Sequence, residues 1–300
     1  MKKMNRFQLT AAPGLLLALM AVAGVFGYGG VFPASAAPNP HGKLTIVTSL
    51  PLLKNIADQI GGDRVRVESI IHGPACDHEY EPGANDLRKL ADCQIFIKVG
   101  MGSDPWADKL AKGILSRQAR LIDTSARVQT MSVAGLLNPH YWGSPDNVKL
   151  MARHILDGLS AAKPEQKAYF TANYQRFSAA IDRTAAALKA KAAQVADRPF
   201  VSYSNAFPYF YQYFGFRNLR TVERSCEQEV SPRDLANAAK LMAERRIRVL
   251  IGDAAEPNEP DGLAQEVHAT KLLLWPTTDE SGDYLRTLRH NVELLVKALR

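Results

Sequence analysis

The stretch from Pro164 to Val195 reads PEQKAYFTANYQRFSAAIDRTAAALKAKAAQV. After its opening proline it holds neither glycine nor proline, and alanine, lysine, glutamine and arginine dominate. Such side chains lose little freedom in a helix, so the stretch predicts one unbroken rod. About thirty residues rising about 1.5 Å each span about 45 Å. That is too long for a crossover inside one small sheet and suits a strut between two lobes. The expected organisation is a leader at 1–36, a first lobe at 37–163, a linking helix at 164–197 and a second lobe at 198–300.

Strand and helix patterns alternate on both sides of the strut. Lys43 to Thr48 is a β-branched run leading into Leu50-Pro51, after which Leu53, Ile56, Ala57 and Ile60 recur at helical spacing. Gly61-Gly62 closes that helix, and Arg64 to Ile70 alternates like a strand with one wet face. A loop holding Cys76 to Pro82 precedes a helix around Asp86 to Leu90 and a strand from Ile95 to Val99. Ser103-Asp104-Pro105-Trp106 opens another helix. Beyond the strut, Phe200 to Tyr203, Arg248 to Gly252 and Lys271 to Trp275 read as strands. Ser231-Pro232-Arg233-Asp234 is a helix start with a serine cap, proline and an early acid. Tyr284 to Leu299 is a final amphipathic helix. Short strands alternating with helices predict an α/β fold, with a mainly parallel sheet flanked by helices in each lobe.

With 46% hydrophobic and 22% charged residues, the chain is globular rather than disordered or fibrous. Its formal charge of +7 includes Lys2, Lys3 and Arg6, and removing them leaves a mild +4 without clustered basic blocks. That argues against a nucleic-acid partner. The basic start, the apolar run from Gly14 to Phe26 and the small residues Ala34-Ser35-Ala36 read as a secretory signal cleaved after Ala36. An uncleaved anchor is the alternative, weakened by Gly24, Gly27, Gly29, Gly30 and Pro33. No cysteine lies near the cleavage point to carry a lipid. The expectation is an exported, periplasmic, soluble and non-lipidated protein. Export permits disulfides, and of three cysteines Cys93 reads as a buried small hydrophobe. Cys76 and Cys226 are candidates for a pair that sequence alone does not establish.

Seven histidines are available. His41, His154, His268 and His290 fall in the chain terminus or in helical sequence and read as structural or surface residues. His78 and His140 differ. Cys76-Asp77-His78-Glu79-Tyr80-Glu81-Pro82 sets an imidazole among three carboxylates in a loop after a strand. Asn138-Pro139-His140-Tyr141-Trp142 sets another in a rigid loop before the helix start at Ser144-Pro145. Loops at the carboxyl ends of strands are where open α/β sheets bind ligands. Two such histidines are a start for a transition-metal site with nitrogen and oxygen donors. Structural hydrogen bonding is the competing reading, since 62 positions separate them. The aromatic run Phe207, Tyr209, Phe210, Tyr211, Tyr213 and Phe214 reads as core, because Phe207, Phe210, Tyr211 and Phe214 share one helix face.

His78-Glu79-Tyr80-Glu81-Pro82, then Asp86-Leu87, Gly100-Met101-Gly102 and Pro105-Trp106, resembles the solute-binding proteins of zinc and manganese ABC importers. Asn138-Pro139-His140-Tyr141-Trp142 is similar to that family's second histidine motif. The run from Ala206 to Gly215, Ser231-Pro232-Arg233-Asp234 and Tyr284 to Asn291 also fit in order, from about Leu44 to Arg300. The resemblance implies two α/β lobes joined by a rigid helix, with one metal ion between them and no enzymatic activity. It implies His78 and His140 as first-lobe ligands, zinc as the cargo (manganese or copper being open), and a membrane permease with its ATPase as partners. The binding protein itself is expected to be a monomer.

One departure follows. The family's third ligand, a histidine or glutamate, falls here on Ser204, a poor ligand for Zn²⁺ or Mn²⁺. Its fourth, a carboxylate, falls near Pro276, and a small shift brings in Asp279. Four remedies are open. Asp279, Asp253 or Glu256 completes a site of two histidines, carboxylate and water, with Asp279 taken as the ligand. Cys76 and Cys226 supply thiolates, a chelator brings its own donors with the metal, or binding is lost. His72 is a further candidate, and Asp77 and Glu79 are candidates to orient the imidazoles. A metal-dependent hydrolase and a metal-free surface adhesin are the rival functions. No HExxH, GxSxG or P-loop pattern supports the former. Affinity is expected to fall as pH drops through about 6.5, since imidazole must be neutral to ligate.

Overall fold

The computed structural model describes residues 42–300 except 74–77, 79, 116–118, 226–227 and 280–281. The expected leader, His41, Cys76 and Cys226 therefore lie outside the described residues.

In the first lobe, β1 (Leu44–Thr48) runs into α1 (Pro51–Gly61), which begins on proline, where a missing N–H costs nothing. Leu52, Leu53, Ile56, Ala57 and Ile60 are buried along one face of that helix. β2 (Val65–Ser69) alternates as expected, burying Val65, Val67 and Ser69 and exposing Arg66. Then come α2 (Ala84–Asp92), β3 (Ile95–Lys98), α3 (Pro105–Ile114) and β4 (Arg120–Asp123), a short antiparallel hairpin of β5 (Met131–Val133) and β6 (Leu136–Asn138), and α4 (Pro145–Ala162). The four long strands pair in parallel in the order β2-β1-β3-β4.

The strut is α5 (Lys167–Ala192), extended by 3-10 turns at Pro164–Gln166 and Ala193–Val195. It buries Phe170, Phe177, Ile181 and Leu188 and packs on α1 and α4.

The second lobe holds β7 (Pro199–Ser202), α6 (Pro208–Phe214), β8 (Arg217–Thr221), α7 (Pro232–Arg245), β9 (Val249–Asp253), α8 (Asp261–Glu266), β10 (Thr270–Leu274) and α9 (Tyr284–Leu299). Its parallel order is β8-β7-β9-β10, the order of the first sheet repeated. In both sheets the chain goes to one side of the first strand and then returns to the other. The crevice at that switch, beyond the carboxyl ends of β1 and β3 and of β7 and β9, is where such folds bind ligands. Ser231 caps α7 by accepting the Asp234 N–H at 3.1 Å. Gly215, at φ 74°, ends the aromatic helix α6 in a left-handed turn that favours glycine.

Besides the short hairpin β5–β6, two strands of the parallel sheets escaped the sequence pattern, β4 and β8. Both are edge strands: β4 buries only Ile122, and β8 buries none of its residues. Without a buried face there is no alternation to read. The apolar core runs continuously past the linking helix. One continuous cluster links β1, α1, α4, α5, α6 and α9, and only a smaller cluster, with Val201, Met242 and Leu250, belongs to the second lobe alone. Cys93 is buried as expected, and burial pushes its thiol up to about 12, far from reactive.

Candidate metal site between the lobes

His78 lies in the loop after β2, and His140 follows β6 on a turn that leads into α4. The turn is bolted down by its neighbours. Tyr141 donates its hydroxyl hydrogen to the Val99 carbonyl at 2.8 Å, at the carboxyl end of β3. Asn147 on α4 donates to the carbonyls of Tyr141 and Gln129, both at 3.0 Å. The second lobe presses so closely here that a Cβ on Gly143 would sit 3.0 Å from the Phe210 backbone nitrogen.

The two imidazoles, far apart in sequence, meet with Nε2 atoms 3.4 Å apart and rings at 72°. Asn138 sets the chemistry of His140. Its amide nitrogen donates to the Asn205 carbonyl of the second lobe at 2.7 Å. The remaining amide oxygen accepts the His140 backbone N–H at 2.9 Å and faces the ring Nδ1 at 3.1 Å. That network assigns the proton to Nδ1 and leaves the Nε2 lone pair directed at His78. Such support fixes the tautomer and orientation of a ligating imidazole. Burial first, and the neighbouring His78 second, push His140 down to about 3, with the Asn205 carbonyl opposing. The expected loss of affinity through pH 6.5 therefore does not arise from His140, which stays neutral well below that pH.

Across the crevice, Ser204 follows β7 and its hydroxyl reaches Asp253 Oδ2 at 3.5 Å. Glu223, just past β8, accepts the Asn205 N–H at 2.8 Å. Burial raises both carboxyls, Asp253 to about 7; the N–H groups of Ala255 and Asn205 oppose this, and Glu256 adds to it. Glu223 also feels the charge of His78.

Asp279 is held elsewhere. Its carboxylate meets Arg286 of α9 at 3.1 Å and acts on His290, whose ring stacks on Trp275 at 3.7 Å. Among the described residues no three His, Cys, Asp or Glu side chains form a metal-holding group, so Asp279 does not join the histidines in this arrangement. Near the family's fourth-ligand position, the Pro276 carbonyl accepts from Trp142 Nε1 at 2.8 Å. That side-chain-to-backbone hydrogen bond between the lobes occupies the place. Glu256 and His72 are exposed, and Asp77 and Glu79 lie outside the described residues. His154 faces the Thr124 carbonyl at 3.2 Å, and the aromatic residues of α6 are core, as expected. Tyr209 adds a hydroxyl that donates to the Asn138 carbonyl and accepts from Met131 N–H, closing the base of the hairpin. Sequence reasoning missed Glu223. Recognising β8 would have found it, as an acid just past a strand's carboxyl end.

Paired imidazoles between two α/β lobes on a rigid strut define the metal-binding solute-binding proteins of ABC transporters. A family model described as "Zinc-uptake complex component A periplasmic" (ZnuA) matches residues 46–298, and the chain belongs to that family. Its members are carriers rather than enzymes. They bind metal ions and deliver them to a membrane permease. The iron-binding protein YfeA of Yersinia pestis is 24% identical over 223 residues, 73% of this chain and 72% of that one. The metal ABC transporter substrate-binding lipoprotein SloC of Streptococcus mutans serotype c is 24% identical over 289 residues, 90% and 94% of the two chains. A crystal structure of ZnuA superposes with a TM-score of 0.78 at 24% identity, covering 86% of this chain and all of that one.

Proposed function

We propose that this protein captures one divalent transition-metal ion, zinc first, and that His78 and His140 are its ligands from the first lobe. It then hands the ion to an ABC permease in the membrane. The observation that carries this reading is the convergence of two Nε2 atoms at 3.4 Å, one of them on a buried ring oriented by Asn138. Imidazole suits zinc, iron and copper, and the relatives' names divide among zinc, manganese and iron, so zinc is a preference among close competitors. Asp279, the carboxylate ligand expected from the sequence, would have to leave Arg286 to serve.

We place the protein outside the cytoplasm, acting as a monomer, with a leader cleaved after Ala36. SloC is named a lipoprotein, but this chain has no cysteine near that point to acylate. None of the described helices is long and apolar enough to cross a membrane. Equilibrium dialysis with metal analysis tests the carrier role. About one equivalent of bound zinc, lost in His140→Ala, is the expected result; no zinc, manganese or copper near one equivalent overturns it.

A further inference from the structure

The hairpin of β5 and β6 hands the chain to His140, and its geometry is set at both ends. At the tip, Ala134 and Gly135 take φ of 50° and 84°, the left-handed pair of a two-residue turn that fixes the register. At the open end, Met131 and Asn138 are partners. There the Tyr209 hydroxyl, from α6 of the second lobe, spans the two. It accepts the Met131 N–H at 2.7 Å and donates to the Asn138 carbonyl at 3.0 Å.

A second grip comes from Asn205, just past β7. Its carbonyl takes the Asn138 amide at 2.7 Å and acts on the His140 ring as well. Glu223 holds Asn205 from behind, its Oε2 accepting the Asn205 N–H at 2.8 Å, and the Glu223 N–H is tied to the Tyr203 carbonyl at 2.9 Å. The second lobe thus grips Asn138 by main chain and side chain. Only its amide oxygen turns to His140, 2.9 Å from the backbone nitrogen and 3.1 Å from Nδ1. Asn138, His140, Asn205 and Tyr209 are all buried, which makes each of these bonds costly to leave unmade.

The direction of that amide decides what the imidazole can do. Rotated by half a turn, it would present its NH2 to Nδ1 instead. Nδ1 would then accept, the proton would move to Nε2, and that nitrogen would have no lone pair for a metal.

We infer that Tyr209 is a positioning residue of the metal site: with the Asn205 carbonyl, it clamps Asn138 so that His140 keeps its proton on Nδ1 and offers Nε2. This rests on the carrier reading above and gives the second lobe a part in it that requires no ligand there. The ligand belongs to the first lobe and the atoms that ready it belong to the second, so His140 is ready only where the two lobes meet.

The test removes the hydroxyl with Tyr209→Phe. Its control is Tyr211→Phe, which loses a buried hydroxyl of the same helix, paired with the Ser202 hydroxyl at 3.0 Å rather than with Asn138. Zinc affinity is measured by competition with a chelator, and the tautomer of His140 by nitrogen-15 NMR of the metal-free protein. Tyr209→Phe is expected to weaken zinc binding about tenfold and to spread the ring over both tautomers. Tyr211→Phe is expected to keep wild-type affinity and a single tautomer. Wild-type affinity or an undisturbed ring in Tyr209→Phe overturns the inference. So does an equal loss in Tyr211→Phe, which would trace the effect to a general loosening of α6. The metal-free wild type needs no variant: a proton on Nε2 of His140 contradicts the clamp. Failure of wild type to bind zinc removes the carrier reading, while the ring signals still decide the clamp.

Discussion

The two halves of the crevice share one strand order but differ in how the chain encodes them. On the first-lobe side, the proposed ligands sit in two short motifs, each with a histidine, and local hydrogen bonds from Asn138, Tyr141 and Asn147 hold one of them in place. On the second-lobe side, polar side chains gather from three strand ends, and no single motif holds them. Ser204 sits where the family's motif leads one to look for a ligand. Glu223 and Asp253 stand on the strands to either side, each one strand away.

The strongest break of this comparison is on the motif side. His140→Ala should remove a ligand outright and weaken zinc binding by more than the roughly 100-fold ceiling typical of a supporting residue, measured by competition with a chelator. Asn138→Ala keeps both imidazoles but frees the His140 tautomer, and should cost about 10–100-fold in the same assay. Equal losses in the two variants would mean that His140 does not ligate.

The dispersed side responds through stability. Asp253 is raised from 3.8 to about 7, so its contribution to metal-free stability is present below pH 3.8 and disappears as pH rises through 7. His140 runs the other way. Lowered from 6.5 to about 3, it favours the fold above pH 6.5 and loses that contribution as pH falls toward 3. Asp253→Asn removes only the first of these. Metal-free Asp253→Asn should melt about 2 °C or more above wild type at pH 8, with the gap closing near pH 4. A lower melting point at pH 8 would show that this carboxylate is structural. The smallest effect belongs to Asp279→Asn, which breaks the Arg286 pair near the surface and should leave zinc affinity within about twofold of wild type. A tenfold loss would restore Asp279 as the ligand.

The interior of each sheet was legible because burial imposes a period. Val65 and Val67 alternate with Arg66, and Leu53, Ile56 and Ile60 repeat at helical spacing. The strut was legible from what it lacks, glycine and proline. Edge strands β4 and β8 were not, since a strand with little buried surface carries no hydrophobic pattern. With β8 unseen, Glu223 could not be placed at a strand's carboxyl end. The histidine pair was legible only as two loops of suitable chemistry, because spacing along the chain says nothing about which loops a parallel sheet brings face to face. Asp279 drew attention through proximity in sequence to the family's ligand position, yet α9 presents Arg286 to it first.

A crystal soaked with zinc and measured across the zinc absorption edge tests the central claim most directly. The expected result is one anomalous peak about 2.0–2.1 Å from Nε2 of both His78 and His140. A zinc peak bound elsewhere, or bound to only one of the two rings, would contradict it.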